Sequence, residues 1–383
     1  MFGIAEEKLE GYELDTKPTF NFKFEEDTDW PTFFIEQLLQ SILSTPLIVL
    51  ETLSTVQIQK RNEEQHDFES IDGNTPVPLY FKRLEGWNVA DSAKTIIDSE
   101  QEGWASLFKG NLTQGLFQSL YKLIQPTIEE SVNDFFDVYE DVNPYTMVFS
   151  HIFTGTLLSP LELVRTRIIV QSNNHKRKKY YGPFHALFLI AQEERQSPHS
   201  SILSTFYSVK QLIPTALVYT ISPLIRYGSV CFIEQELGLD TTFSPVFYKL
   251  AQICCLGVES LVMAPIELAR KRLQAQRLDA TTATTQQSLD SCIETCDRPY
   301  TGILDVLISV VKEEGPRKKG KSKNISQQDW QSVYGNVEQE KESNWKTLVG
   351  YGQGLTSLYR GFWPRYFSSL ILFVSEEITK EDW

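Results

Sequence analysis

The residues best placed to do chemistry are two charged groups behind a proline, Pro160-Leu161-Glu162-Leu163-Val164-Arg165-Thr166-Arg167 and Pro265-Ile266-Glu267-Leu268-Ala269-Arg270-Lys271-Arg272. In each, an acid stands two residues after the proline and bases stand five and seven after it. On a helix, positions three apart share a face, so the pattern suits charge pairing between elements better than bond making. Catalysis has no comparable candidate. His66, His151, His175, His185 and His199 lack ligand spacing, and neither a phosphate-binding Gly-rich loop nor a Ser-His-acid grouping can be read. Cys292 and Cys296 are four apart, with no histidine or second cysteine pair nearby to complete a metal site. The expectation is a chain that is not an enzyme and that holds no metal or cofactor.

A third proline, Pro46, stands 114 residues before Pro160, which stands 105 before Pro265, and each proline follows an apolar run that becomes amphipathic. Eleven residues beyond each stands a glutamine: Gln57, Gln171 and Gln276. Then come a polar loop, a short amphipathic segment ending at Glu102-Gly103, Glu193-Glu194 or Glu314-Gly315, and an aromatic junction. The junctions are Leu107-Phe108-Lys109-Gly110, Phe206-Tyr207-Ser208-Val209 and Leu358-Tyr359-Arg360-Gly361, each followed by another apolar stretch. Helix, loop, short helix, helix, repeated three times at about a hundred residues, is internal symmetry of the parallel transporter kind.

Uncharged stretches reach spanning length at Val142 to Leu161 and are shorter at Gln37 to Leu50, Gln211 to Ile225, Leu250 to Val258 and Tyr366 to Ser375. The second long helix is the most polar, since Leu112 to Ile128 includes Gln114, Gln118, Lys122 and Gln125, so five spans stand as an alternative to six. A mean hydropathy of -0.25 means that any membrane part is diluted by polar segments. The net charge of -14 argues against nucleic acid, which needs a basic surface. Five cysteines in a chain this long suggest reduced thiols rather than a disulfide framework. Nine acids against three lysines in the first 30 residues exclude a transit peptide or secretory signal there, so an organellar address would be internal.

Proline-x-acid-x-x-base-x-base, followed by acid-Gly and aromatic-base-Gly, resembles the signature of the mitochondrial carrier family over roughly residues 31 to 383. The resemblance implies an all-α membrane protein, a three-repeat, six-helix bundle whose odd-numbered helices are kinked at Pro46, Pro160 and Pro265. It divides the chain into an acidic segment 1–30 and repeats 31–140, 141–240 and 241–383, the last with inserted loops 279–298 and 316–354. It also implies a gate in which Glu162, Arg165, Arg167, Glu267, Arg270 and Arg272 pair across repeats. In the first repeat, however, Ile48 holds the acid position and Glu51 the first base position. The family's pairing then leaves Glu162 with Arg270, Arg165 with no acid, and Glu267 facing Glu51. The opposite gate, at Phe136-Asp137, Ile233-Glu234 and Phe373-Val374-Ser375-Glu376-Glu377, is degraded too. A chain that locks neither gate is a poor alternating-access transporter.

With its acidic balance and insertions, the chain is most similar to outer-membrane members of that family that act in mitochondrial fusion. That resemblance implies a multi-pass adaptor of the outer mitochondrial membrane with dynamin-like GTPases of both mitochondrial membranes as partners, and a homodimer stands open. The alternatives are an inner-membrane solute carrier and a lipid-handling scaffold. Cavity candidates are Arg226, which interrupts an apolar run and either lines a cavity or pairs with Glu234, and Glu259, a buried acid without an assigned partner. Arg365, in Gly361-Phe362-Trp363-Pro364-Arg365, is the third cavity candidate and is expected to position a helix start rather than bind substrate, and His175-Lys176-Arg177-Lys178-Lys179 to face lipid headgroups or set topology.

Overall fold

The computed structural model describes residues 30–58, 84, 88–99, 102–138, 143–173, 178–193, 206–276, 291–296, 299–314 and 354–381. The acidic segment 1–30 lies almost wholly outside these residues, as do the loop 316–354 except for its last residue, the run 174–177 and most of the loop 279–298. Among the described residues there are six long helices: α1 (Trp30–Val56), α3 (Asn111–Phe135), α4 (Pro144–Val170), α6 (Val209–Cys231), α7 (Pro245–Ala275) and α9 (Phe362–Glu381). The short helices α2 (Val89–Ile97), α5 (Pro183–Glu193) and α8 (Ile303–Glu313) follow α1, α4 and α7. Among the described residues there is no strand, only an isolated bridge between Gln171 and Ser291.

The long helices pack in chain order, α1 on α3, α3 on α4, α4 on α6, α6 on α7 and α7 on α9, and α9 returns to α1 to close a ring. Helices α1, α4 and α7 also touch one another. These are the helices that carry Pro46, Pro160 and Pro265 within their length. A mid-helix proline removes one donor and crowds the preceding turn, which is where helices bend.

The ring places its polar groups inward. On α1, Gln37, Gln40, Ser41, Ser44 and Thr45 are buried, whereas Phe34, Ile35, Leu38, Leu39, Ile42 and Leu43 are exposed. On α4, Ser150 and Thr154 are buried while Phe149, Phe153 and Leu157 face out. In water such an arrangement would expose far more apolar surface than a soluble monomer tolerates, and in a bilayer it is the stable one. Four helices, Trp30–Val56, Pro144–Val170, Val209–Glu236 and Pro245–Ala275, are long and apolar enough to cross a membrane. The chain is an all-α membrane protein. Helices α3 and α9 have 25 and 20 residues but fall outside that apolar set. Trp30, Tyr145 and Phe243, exposed at the starts of α1 and α4 and just before α7, suit the headgroup level on that side.

Polar bonds set the register between helices. Asn111, at the start of α3, accepts at Oδ1 from Ser41 Oγ at 2.6 Å and from Thr45 Oγ1 at 3.0 Å. Gly155 allows α4 and α6 to approach, because a Cβ there would lie 2.1 Å from the Tyr219 ring. Gly361 does the same for α9 against α1, where a Cβ would meet Thr55 Cγ2 at 2.5 Å.

Candidate functional site

The charged motifs converge where α1, α4 and α7 meet. Arg270 reaches Glu162 on α4 at 2.6 Å and Glu267 on its own helix at 2.9 Å. Tyr219 donates its hydroxyl to the other oxygen of Glu162 at 2.7 Å, passing over Gly155. Glu51 is not left facing Glu267 alone: Lys271 Nζ lies 2.8 Å from Glu51. Arg365 Nη1 lies 3.0 Å from Glu267 and 3.4 Å from Glu51. Glu267 and Glu51 are therefore not a bare like-charge pair, since two bases stand against the two carboxylates. Arg365 does more than start a helix, because its guanidinium links α9 to α1 and α7.

Arg165, expected to lack an acid, hydrogen-bonds Gln114 Oε1, lies 4.0 Å from Glu162 and sits over the Phe117 ring at 5.4 Å. Gln114 stands four residues after Gly110, just as Arg365 stands four after Gly361. Where the first motif lacks its acid, the start of α3 supplies an acceptor; where that motif holds an acid in place of a base, the start of α9 supplies the base. Three acids (Glu51, Glu162, Glu267) and four bases (Arg165, Arg270, Lys271, Arg365) thus form one circuit through α1, α4, α7 and α9. Aligning the proline motifs alone could not find Lys271 or Gln114; aligning the junction glycines as well would have pointed to Gln114.

Past the circuit, the second bases cap helix ends, where the last carbonyls have no partner within their own helix. Arg167 donates to the carbonyls of Gln274 at 3.1 Å and Gln276 at 3.0 Å, closing α7. Arg272 donates to those of Thr55 at 2.9 Å and Gln57 at 3.3 Å, closing α1. The first motif has Leu53 at this position, and Lys109 closes α4 instead, through the Gln171 carbonyl at 2.8 Å. The junction bases share a second task. Lys109 pairs with Glu102, and Arg360 pairs with Glu314 at 2.5 Å, as Arg272 also does at 2.7 Å.

The three glutamines hold the loops. Gln171 donates to the Tyr180 carbonyl at 2.8 Å and accepts from its amide at 2.9 Å. Gln276 does the same to Tyr300, at 3.0 and 2.8 Å, and Gln57 accepts from the Leu84 amide at 2.9 Å. Each loop then leads into α2, α5 or α8, packed on the helix that precedes it.

Farther from the circuit, Arg226 pairs with Glu259 at 3.0 Å, and Ser222 donates to the same carboxylate at 2.6 Å. The two candidates read separately from the sequence are therefore partners across α6 and α7, and Glu234 accepts from Tyr248 at 3.4 Å. The Arg226 side chain keeps 46% of its surface accessible, so the pair can still meet a ligand. Tyr121 stacks between His151 and Tyr219, and its oxygen lies 2.5 Å from His151 Nδ1. At the far end of the ring Glu376 pairs with Lys122 at 3.3 Å and Glu377 with Lys249 at 3.0 Å. These pairs are partly exposed and worth only about 0–1 kcal/mol each. The strong electrostatics lie at one end.

Among the described residues, no group of three or more His, Cys, Asp or Glu side chains could hold a metal ion. The sequence matches no model of a known protein family, and no curated protein matches it.

Proposed function

We propose that the chain has the three-repeat mitochondrial-carrier fold and serves as a non-transporting adaptor in the mitochondrial outer membrane, linking dynamin-like GTPases of the outer and inner membranes during fusion. The observation that carries this reading is the circuit at the convergence of α1, α4 and α7. Its lost carrier-type links are replaced by Lys271, Arg365 and Gln114, residues outside the pairing positions of the motif. A gate rebuilt in this way holds one state instead of poising two, and a transporter must populate both.

The repeat reading is supported by the recurrence of contacts. Three glutamines at matching distance from three prolines each bind the backbone of the following loop. Six long helices also close a ring in chain order. The acidic segment 1–30, the loop 316–354 and the part of 279–298 outside Ser291–Cys296 are the surfaces assigned to partners, because segments grafted on a rigid scaffold commonly carry binding. A divergent solute carrier, or a lipid-handling scaffold, is the second reading; it draws on the half-accessible Arg226 beside Glu259.

Co-purification tests the assignment. The full chain should recover the fusion GTPases, and deleting residues 1–28 or 316–354 should reduce recovery at least severalfold. Unchanged recovery with both deletions would sink the mapping to those segments. Saturable solute exchange in liposomes that is abolished by Arg226→Ala would favour the transporter.

A further inference from the structure

The loop that leaves α7 is rich in Thr and Gln and was expected to be an external insertion, yet residues 291–296 return to the bundle. Ser291 forms an antiparallel bridge with Gln171 just past α4, and the Cys292 amide donates to the Val170 carbonyl at 2.9 Å. Two residues on, the Glu294 carbonyl accepts from the Ile58 amide, just past α1, at 3.1 Å. Between these fastenings Cys292 and Ile293 are 1% and 0% exposed. They share a cluster with Leu53 and Val56 of α1, Ile169 and Val170 of α4, and Ala275 of α7. The clusters around α5 and α8 contain no comparable segment from elsewhere among the described residues.

The geometry points to a strap: Ser291–Cys296 joins the converging ends of α1, α4 and α7 and keeps that end of the ring shut. Drawing the three ends apart would break both backbone hydrogen bonds and bring Ile293 into water, on top of the cost of parting the ion pairs beneath. A ligand of the ring interior would then enter and leave only from the opposite end. The strap requires no particular partner, so failed GTPase recovery leaves it standing, and its own failure leaves the adaptor reading standing. The protein also contains a reporter. Burial pushes the Cys292 thiol up to about 12, which keeps it protonated and slow to alkylate while the strap is seated.

Hydrogen exchange on the full chain in lipid nanodiscs tests the strap. Ile293→Asn should raise exchange at least tenfold in residues 53–58, 168–173 and 271–276 together, and leave α6 as in the wild type. Cys292→Pro, which removes the N–H donated to Val170, should do the same in milder form. Exchange that rises only within 291–296, or not at all, overturns the strap. Should neither variant fold, a chain with Cys231, Cys254, Cys255 and Cys296 changed to serine keeps Cys292 as its one thiol. That thiol should alkylate at least a hundredfold more slowly in the native protein than after unfolding, and equal rates would refute the seated strap.

Discussion

Arg270→Met should destabilise the protein by about 3–5 kcal/mol, the cost of removing one partner from a buried ion pair. Arg270 is buried and serves two acids that are also buried, Glu162 at 2.6 Å and Glu267 at 2.9 Å. Its loss leaves Glu267 to Arg365, and Glu162 to Tyr219 and the more distant Arg165. Thermal unfolding in detergent reads the effect. Combining it with Glu162→Gln should recover a sizeable part of the loss, because a neutral amide in place of the carboxylate no longer strands a charge. A single variant that melts within about 1 kcal/mol of the wild type would show that the circuit is not the main lock at this end.

Glu314→Ala should cost a similar amount, about 3–5 kcal/mol, by stranding two buried guanidinium groups. Arg272 and Arg360 both end on this carboxylate, at 2.7 and 2.5 Å, and each also donates to a carbonyl at the end of α1. Loss of the acid thus loosens the seam between α1 and α7 as well as the pairs. Glu193 closes the corresponding short helix α5 and provides the control. Its partner Lys179 lies 2.6 Å away, but the two side chains are 24% and 37% accessible. Glu193→Ala should therefore change stability by no more than about 1 kcal/mol. Equal losses for the two variants, measured by the same melt, would count against assigning the strength of this end to buried pairs.

These two residues occupy matching places in the sequence pattern, and their contrast shows what that pattern conveys. The spacing of Pro46, Pro160 and Pro265 marks the helices that converge, and Gln57, Gln171 and Gln276 mark where each ends, because a loop clamp needs one amide side chain at a fixed distance from the turn. Helix α3 was harder to read, since Gln114, Gln118, Lys122 and Gln125 break its apolar run, and the structure buries Gln114 and Gln125 against its neighbours. The state of the circuit could not be read. Ile48 and Glu51 suggested broken links, and the repairs come from Lys271, one position off the motif, and from Gln114 and Arg365 on other helices. Pairing rules within one motif do not see residues that tertiary packing brings in from elsewhere. The partnership of Arg226 with Glu259 was hidden for the same reason, being a contact between α6 and α7 at a sequence distance of 33.

The strap was the least legible feature. A stretch rich in Thr and Gln with scattered cysteines reads as solvated loop, and only the short apolar core of Cys292 and Ile293 distinguishes 291–296 from its surroundings. Its seat is formed by residues of α1, α2 and α4 that are far away in sequence, so no local pattern announces it.

The proposed scaffold, unlike an alternating transporter, requires the ends of α1, α4 and α7 to stay together. Trp104, Tyr181 and Leu304 are exposed in the stretches that follow α1, α4 and α7 in the chain, and can each carry a spin label on a chain whose native cysteines are replaced. Pulsed electron spin resonance on the three label pairs in lipid nanodiscs should give one narrow distance distribution for each pair, unchanged when candidate solutes are added. A second, longer population in all three pairs, or a lengthening on addition of a solute, would contradict the account.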